Sequence, residues 1–476
     1  MLNCFINDLF IKKFVLNPTE EQRDALQTIA SFVLSKEEHS LLLLKGYAGT
    51  GKTSLVGAVV KSLTEMNLKT VLLAPTGRAA KVFSNYSGER ASTIHKTIYR
   101  QKKFDGELSG FVSSNNLHKD TIFMVDEASM ISNGGVESSV SFGSGQLLDD
   151  LIHYIYTGER CKLILMGDEA QLPPVGQAES PALNVGMLES YGLIVHEIRL
   201  THVVRQSNDS GILYNATRLR DALRNGTVEI FPKLALASFK DFTKIGGEDL
   251  IEEISSCYAK DGVEDTMVIC RSNKRANIYN NGIRNRIFCY ESQLTQGDRL
   301  MVARNSYFWT NDCKEMDFIA NGEIVTVKRF RHTVEQFDAH FADLTIEFQD
   351  YDLELDVRAL LDTLETESPA LPREQSEKLF HSILEGYADI PVRKDRMKKL
   401  KEDPFYNAIQ IKYAYAVTCH KAQGGQWKNV FLDIGYMTEE MLGEDFYRWL
   451  YTAFTRATTR LYLVNLPKEF EDEAEK

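Results

Sequence analysis

Four apolar runs recur between residues 40 and 170, each closed by a turn residue or an acid: "SLLLLKG" (40–46), "KTVLLAP" (69–75), "DTIFMVDEA" (120–128) and "KLILMGDEA" (162–170). They lack the alternation of a half-solvated strand, and helically spaced stretches separate them. That pattern predicts the strands of a parallel sheet covered on both faces. Ligands of such sheets sit beyond the C-terminal strand ends, where Gly, Pro, Asp and Glu close these runs. A second set starts at "TMVICRSNKRANIYNNGIR" from Thr266, resumes with "YAYAVTCHKAQGGQWKNVFLDIG" from Tyr413 and ends in "RLYLVNLP" (460–467). It predicts a second α/β domain with an interruption. Within the interruption, about 297–408, "GDRLMVARNSYF", "NGEIVTVKRF" and "ADLTIEFQDYDLELDV" read as short antiparallel strands followed by a charged helical stretch. The polar segment 99–120 holds two phenylalanines, and the Gly/Ser-rich "SNGGVESSVSFGSGQ" (132–146) predicts a flexible loop.

A chain of 476 residues suggests two to four domains, and 43% hydrophobic residues suffice for several cores. The net charge of -12 lends no support to a nucleic-acid partner, yet it leaves open how the basic residues are distributed. "RSNKRANIYNNGIRNR" could be a local basic face or simply a solvated helix. Seven cysteines without CxxC or metal-ligand spacing point to reduced thiols, hence to a cytoplasmic protein. Neither a spanning apolar run nor the marks of a signal peptide are found, so no membrane partner is expected. The acidic "EFEDEAEK" reads as a solvated tail.

The chemistry is concentrated at the strand ends. "GYAGTGKT", Gly46 to Thr53, fits the phosphate-loop pattern in full. Gly46, Gly49 and Gly51 let the backbone, with Thr50 and Ser54, wrap phosphate oxygens; Lys52 supplies charge, and the Thr53 hydroxyl can ligate Mg²⁺ of a bound ATP. "FMVDEASM" ends a strand in Asp126, suited to Mg²⁺, and Glu127, suited to polarising the attacking water. Gln22 in "PTEEQ" is either the N3 partner of a capping box begun by Thr19 or an amide reading an adenine edge. Arg205 and Arg456 stand in apolar contexts that demand an anion, either a γ-phosphate or a structural carboxylate. "LILMGDEAQLPPV" carries Asp168 and Gln171 on the end of the fourth apolar run.

Taken in order, "PTEEQ", "GYAGTGKT", "APTGRAAK", "STIHK", "VDEASM", "MGDEAQLPPVG", "LTHVVRQ", "VTCHKAQGGQW" and "LYTAFTRA" resemble the motif series of superfamily 1B DNA helicases of the RecD, Dda and Pif1 group. The resemblance implies an α/β fold of two RecA-like P-loop NTPase domains. The first spans 1–245 with a pin inserted at 99–119. The second joins 246–296 to 409–476 around an SH3-like module at 297–408. It further implies that Arg205 and Arg456 reach the γ-phosphate and that Gln171 senses it. Gly424 and Gln426 would touch nucleotide and strand. Thr76, His95, Thr418, His420 and Lys421 would contact single-stranded DNA, and Phe104 and Phe111 would be wedge residues if they do not simply cover a core. The implied activity is ATP-dependent translocation on single-stranded DNA with unwinding of forked duplex, 5′ to 3′, with protein partners in repair, recombination or replication. The alternative carried forward is a non-unwinding, DNA-stimulated ATPase subunit of a larger complex.

Overall fold

The computed structural model describes residues 2–14, 16–101, 111–134, 143–203, 210–236, 239–310, 313, 316, 318–348 and 353–472. The first half runs α1 (Leu2–Lys13), α2 (Glu20–Leu34), β1 (Ser40–Gly46), α3 (Lys52–Glu65), β2 (Lys69–Ala74), α4 (Gly77–Ser87), β3 (Ala91–Thr93) and α5 (Ile94–Ile98). A hairpin of β4 (Tyr99–Gln101) and β5 (Phe111–Ser113) follows, then β6 (Thr121–Val125), α6 (Leu147–Tyr156), β7 (Lys162–Gly167), α7 (Val185–Glu189) and β8 (Ile194–Leu200). Six of these strands form a parallel sheet in the order β3-β2-β6-β7-β1-β8.

All four apolar runs are strands of this sheet. β1 is buried along its whole length because alternate leucines serve opposite layers. Leu42 and Leu44 pack with α2 and α3, whereas Leu41 and Leu43 pack with α5 and α6. That two-sided burial is why β1 shows no polar alternation. β8 escaped the apolar pattern because it is an edge strand, largely exposed and carrying His196, Glu197 and Arg199.

The second half contains α8 (Gly211–Asn225), β9 (Phe242–Ile245), α9 (Leu250–Asp261), β10 (Thr266–Cys270) and α10 (Asn273–Arg286), then β11 (Arg299–Val302), β12 (Ile324–Gln336), β13 (Ala339–Phe348) and β14 (Glu354–Leu360). After α11 (Arg373–Glu385) and α12 (Arg393–Lys401) come β15 (Ile409–Tyr413), β16 (Ala416–Thr418), α13 (Cys419–Ala422), β17 (Trp427–Asp433), α14 (Glu444–Phe454) and β18 (Ala457–Val464). A second parallel sheet has the order β16-β10-β17-β18-β9.

The interruption is a closed barrel of β11 to β15. Its strands are not all short: β12 has 13 residues and β13 has 10. The outer part of β12, from Lys328 to Gln336, is exposed and polar, so apolar patterning stops well before the strand does. The closing strand, β15, begins at Ile409, just past the expected range, and pairs with β14 in parallel. Among the described residues no helix is long and apolar enough to cross a membrane.

Candidate active site

The phosphate loop joins β1 to α3. Gly49 and Gly51 have φ of 80° and 79°, a left-handed geometry that side chains resist. A Cβ on Gly49 would also lie 3.1 Å from Val203 Cγ1. Thr50 is buried and donates its hydroxyl to the Tyr47 carbonyl at 2.8 Å. Gln22 reaches in from α2 and donates Nε2 to the Thr50 carbonyl at 2.9 Å, while its Oε1 accepts the Thr19 N–H at 3.0 Å. The Thr19 hydroxyl accepts the Gln22 N–H, which completes the capping box. Gln22 thus braces the loop through groups that the adenine reading would have used.

Lys52 opens α3, with Thr53 and Ser54 exposed beside it. Its Nζ lies 3.8 Å from Asp126 Oδ1. Burial works against the charge on Lys52, but Asp126, Glu127 and Asp168 outweigh it and hold the amine above its ordinary pKa. Asp126 follows β6, accepting the Tyr86 hydroxyl at 2.6 Å and the Glu127 N–H at 2.8 Å. Glu127 adopts φ 52°, a conformation that costs of order 1–3 kcal/mol for a residue with a side chain and clusters at functional sites. Burial pushes its carboxyl above the ordinary range, against the pull of Arg456 and Lys52. Glu127 Oε2 is buried without a hydrogen-bond partner.

Arg456 comes from the second sheet's side, just after α14. It is 3% exposed, and its Nη1 stands 4.0 Å from Glu127 Oε1. Its other contacts are neutral: the Thr452 and Gly425 carbonyls and the Thr455 hydroxyl. Two cations therefore meet three buried or half-buried carboxylates, Asp126, Glu127 and Asp168, where the two sheets abut. Arg205 falls outside the described residues.

The fourth apolar run ends at Asp168, 2% exposed, which accepts the Tyr451 hydroxyl at 2.6 Å and the Ala170 N–H at 3.0 Å. Gln171 lines a cavity of about 510 Å³ with Asp168, Tyr47 and Arg220. Its Oε1 is buried and unpartnered.

Two residues that sequence reading passed over tie this site together. Tyr451, in the quoted "LYTAFTRA", donates to Asp168 and accepts the Ala48 N–H of the phosphate loop at 2.9 Å. Its partners lie 403 and 283 residues away in the chain, so no local signal marks it. Tyr86 lies in α4 among ordinary core residues, and nothing in the sequence marks it.

Of the residues expected to touch DNA, Thr76 caps α4 by accepting the Ala79 N–H. A Cβ on Gly424 (φ 73°) would lie 3.2 Å from Thr76 Oγ1, so these two segments face each other across the sheets. Gln426 is exposed, and its carbonyl accepts from Arg78, whose guanidinium lies 4.1 Å from the Trp427 ring centroid. His95 packs beside Tyr99, and burial pushes its pKa down to about 4. Thr418 precedes α13, which carries an exposed His420 and a half-buried Lys421. Phe111 opens β5, while Phe104 and residues 135–142 of the Gly/Ser loop lie outside the described residues.

No cluster of three or more His, Cys, Asp or Glu suited to a metal exists among the described residues. The lone Asp126 carboxylate and the Thr53 hydroxyl fit a Mg²⁺ that shares its shell with nucleotide phosphates rather than a protein-only cage.

A family model described as an AAA domain matches residues 17–243, and one described as a UvrD-like helicase C-terminal domain matches 413–464. An uncharacterized protein of Acanthamoeba polyphaga mimivirus is 23% identical over 90% of this chain and 96% of its own. The ATP-dependent DNA helicase Dda of Enterobacteria phage T4 is 23% identical over 87% of this chain and 92% of its own. The ATP-dependent RecD2 DNA helicase of Deinococcus radiodurans is 30% identical over 42% of this chain and 23% of its own.

Proposed function

We infer that this chain, which belongs to the RecD/Dda/Pif1 group of superfamily 1B helicases, is an ATP-hydrolysing DNA helicase acting on single-stranded and forked DNA with Mg²⁺. The observation that carries the reading is the convergence of Lys52, Asp126, Glu127 and Asp168 from the first sheet with Arg456 from the second. An arginine at that seam makes nucleotide binding a reason for the two halves to close.

The roles follow from geometry. The loop N–H groups and Lys52 bind the phosphates, and Thr53 with Asp126 would hold Mg²⁺, which would supply neutralising charge to the phosphates. Glu127 Oε2, lacking a partner and raised in proton affinity by burial, takes the proton of the attacking water. Arg456, and Arg205 by family resemblance, meets charge building on the γ-phosphate. Tyr451 links Asp168 and the loop, so loss of the γ-phosphate alters contacts on both sides of the seam. Gln171 carries that change toward the strand-binding edge, where Thr76, His95, Thr418, His420 and Lys421, with Gly424 and Gln426, track single-stranded DNA.

We further assign residues 1–245 to the first RecA-like domain, with 99–119 as a strand-separating pin, and 246–296 with 409–476 to the second. The barrel is read as the SH3-like module, and movement as 5′ to 3′. Seven free thiols fit a cytoplasmic protein. The test is steady-state ATPase with and without single-stranded DNA, alongside displacement of a forked duplex. DNA-stimulated hydrolysis without displacement would instead favour a non-unwinding subunit.

A further inference from the structure

The strand that closes the barrel, β15, carries Lys412, whose Nζ donates to the Thr366 hydroxyl at 2.6 Å and to the Thr366 carbonyl. Lys421, from α13 beside the second sheet, donates to Asn321 Oδ1 at 2.6 Å. Both sets of partners are neutral oxygens, and among the described residues no carboxylate pairs with either amine. The two side chains line the same pocket, which places like charges side by side. Burial first, and then the charge of Lys421, pushes Lys412 down to about 8; burial does the same to Lys421.

Both lysines line one small pocket with Thr418, Asn273 and Asn277, at the start of α10. Asn277 donates to the Glu365 and Thr366 carbonyls at 3.0 and 3.1 Å, fixing the segment on which Lys412 rests. Two half-buried like charges held together are costly unless a counter-charge joins them. The pocket has an apolar wall of Met301, Ala303 and Pro369, and its polar side offers two ammoniums with the Thr418 hydroxyl and the Asn273 amide as further donors. Such a set suits a tetrahedral oxyanion.

We propose that Lys412 and Lys421, one from the barrel and one from the second sheet's edge, share a single backbone phosphate of the bound DNA strand, so that the barrel is part of the strand-binding groove. This rests on the helicase reading, which supplies a strand beside Thr418. The phosphate thereby bridges two parts of the fold that otherwise meet here through the Asn277 and Lys421 hydrogen bonds and the exposed Lys274–Glu367 pair at 3.7 Å.

The test is fluorescence anisotropy of a fluorescein-labelled oligothymidylate across a salt series. It compares wild type, Lys412→Gln, Lys421→Gln, the double variant and Lys412→Arg. Each Gln variant should bind about tenfold more weakly at low salt. Each should also flatten the slope of log K against log salt by up to ~0.7, the value for one phosphate of a single strand. The double variant should flatten it no further, because only one phosphate is shared, and Lys412→Arg should keep the wild-type slope. A wild-type slope in Lys412→Gln, or a loss of ~1.4 in the double variant, would overturn the shared site. Thermal melting guards against misfolding, and Lys412→Met, which keeps the apolar stem, replaces Lys412→Gln if that variant unfolds. Wild type that binds no oligonucleotide defeats the helicase reading and this site together. Normal wild-type binding with unaltered variants defeats the site alone.

Discussion

Glu127 pairs a left-handed backbone with a buried carboxylate oxygen that nothing in the protein satisfies. Both features cost free energy, and both are explained if the oxygen is reserved for a water. Glu127→Gln should therefore cut ATP turnover by about 10²–10⁴-fold while nucleotide binding persists, as single-turnover and binding assays would report. A carboxylate whose pKa is raised acts as a base only above that raised value. The acid limb of the wild-type rate should thus lie above the usual ~4 of a glutamate, because burial outweighs the pull of Arg456 and Lys52. Lys52→Ala should abolish hydrolysis and unwinding yet largely keep single-strand binding, since Lys52 sits in the carboxylate cluster. Wild-type hydrolysis in that variant would refute the assignment. Gln171→Ala should lower unwinding per ATP consumed more than it weakens ATP binding, measured by running both assays on one preparation.

Among the elements, α14 does the joining. Tyr451, Thr452 and Arg456 lie at its end, bonding respectively to Ala48 and Asp168, to the Leu172 N–H at 2.8 Å, and toward Glu127. Tyr451→Phe keeps the ring but leaves a buried carboxylate short of a donor, a loss of ~1–3 kcal/mol. ATPase turnover should fall about tenfold, and the melting temperature of the chain should fall with the lost stability. Helix packing offers a second test. A Cβ on Gly57, within α3, would lie 2.9 Å from the Tyr86 carbonyl of α4. Alanine ordinarily stabilises a helix interior over glycine by ~0.5–1 kcal/mol. Here Gly57→Ala should instead lower stability by ~1–3 kcal/mol in a denaturant titration.

These elements also show what the sequence could disclose. Strands buried on two faces announce themselves as unbroken apolar runs, which is how β1, β2, β6 and β7 were legible. Edge strand β8 and the outer half of β12 are solvated, so burial leaves no mark on their residues. Within the site, the phosphate loop and the Asp126-Glu127 pair were readable because their chemistry requires fixed local spacing. Tyr451, Tyr86 and Lys412 were not, because each acts through a partner far away in the chain. Gln22 was ambiguous for a different reason: one amide fits a cap and a base edge equally well, and the capping box with its bond to the Thr50 carbonyl bears only on the first.

At the scale of the whole molecule, a chain of net charge -12 is asked to bind a polyanion. The basic groups therefore have to be placed locally, as at Lys412 and Lys421, and overall affinity should be modest and steeply salt-dependent. The two parallel sheets meet at the Asp126, Glu127 and Arg456 cluster and again where Thr76 faces Gly424, so the candidate ATP and strand-binding residues share one seam. The most direct measurement is displacement of a labelled strand from a forked duplex bearing a 5′ or a 3′ single-stranded tail, with and without ATP and Mg²⁺. ATP-dependent displacement of the 5′-tailed substrate is expected, and it should be absent in Lys52→Ala. Failure to open any tailed fork, despite hydrolysis stimulated by single-stranded DNA, would contradict the helicase reading.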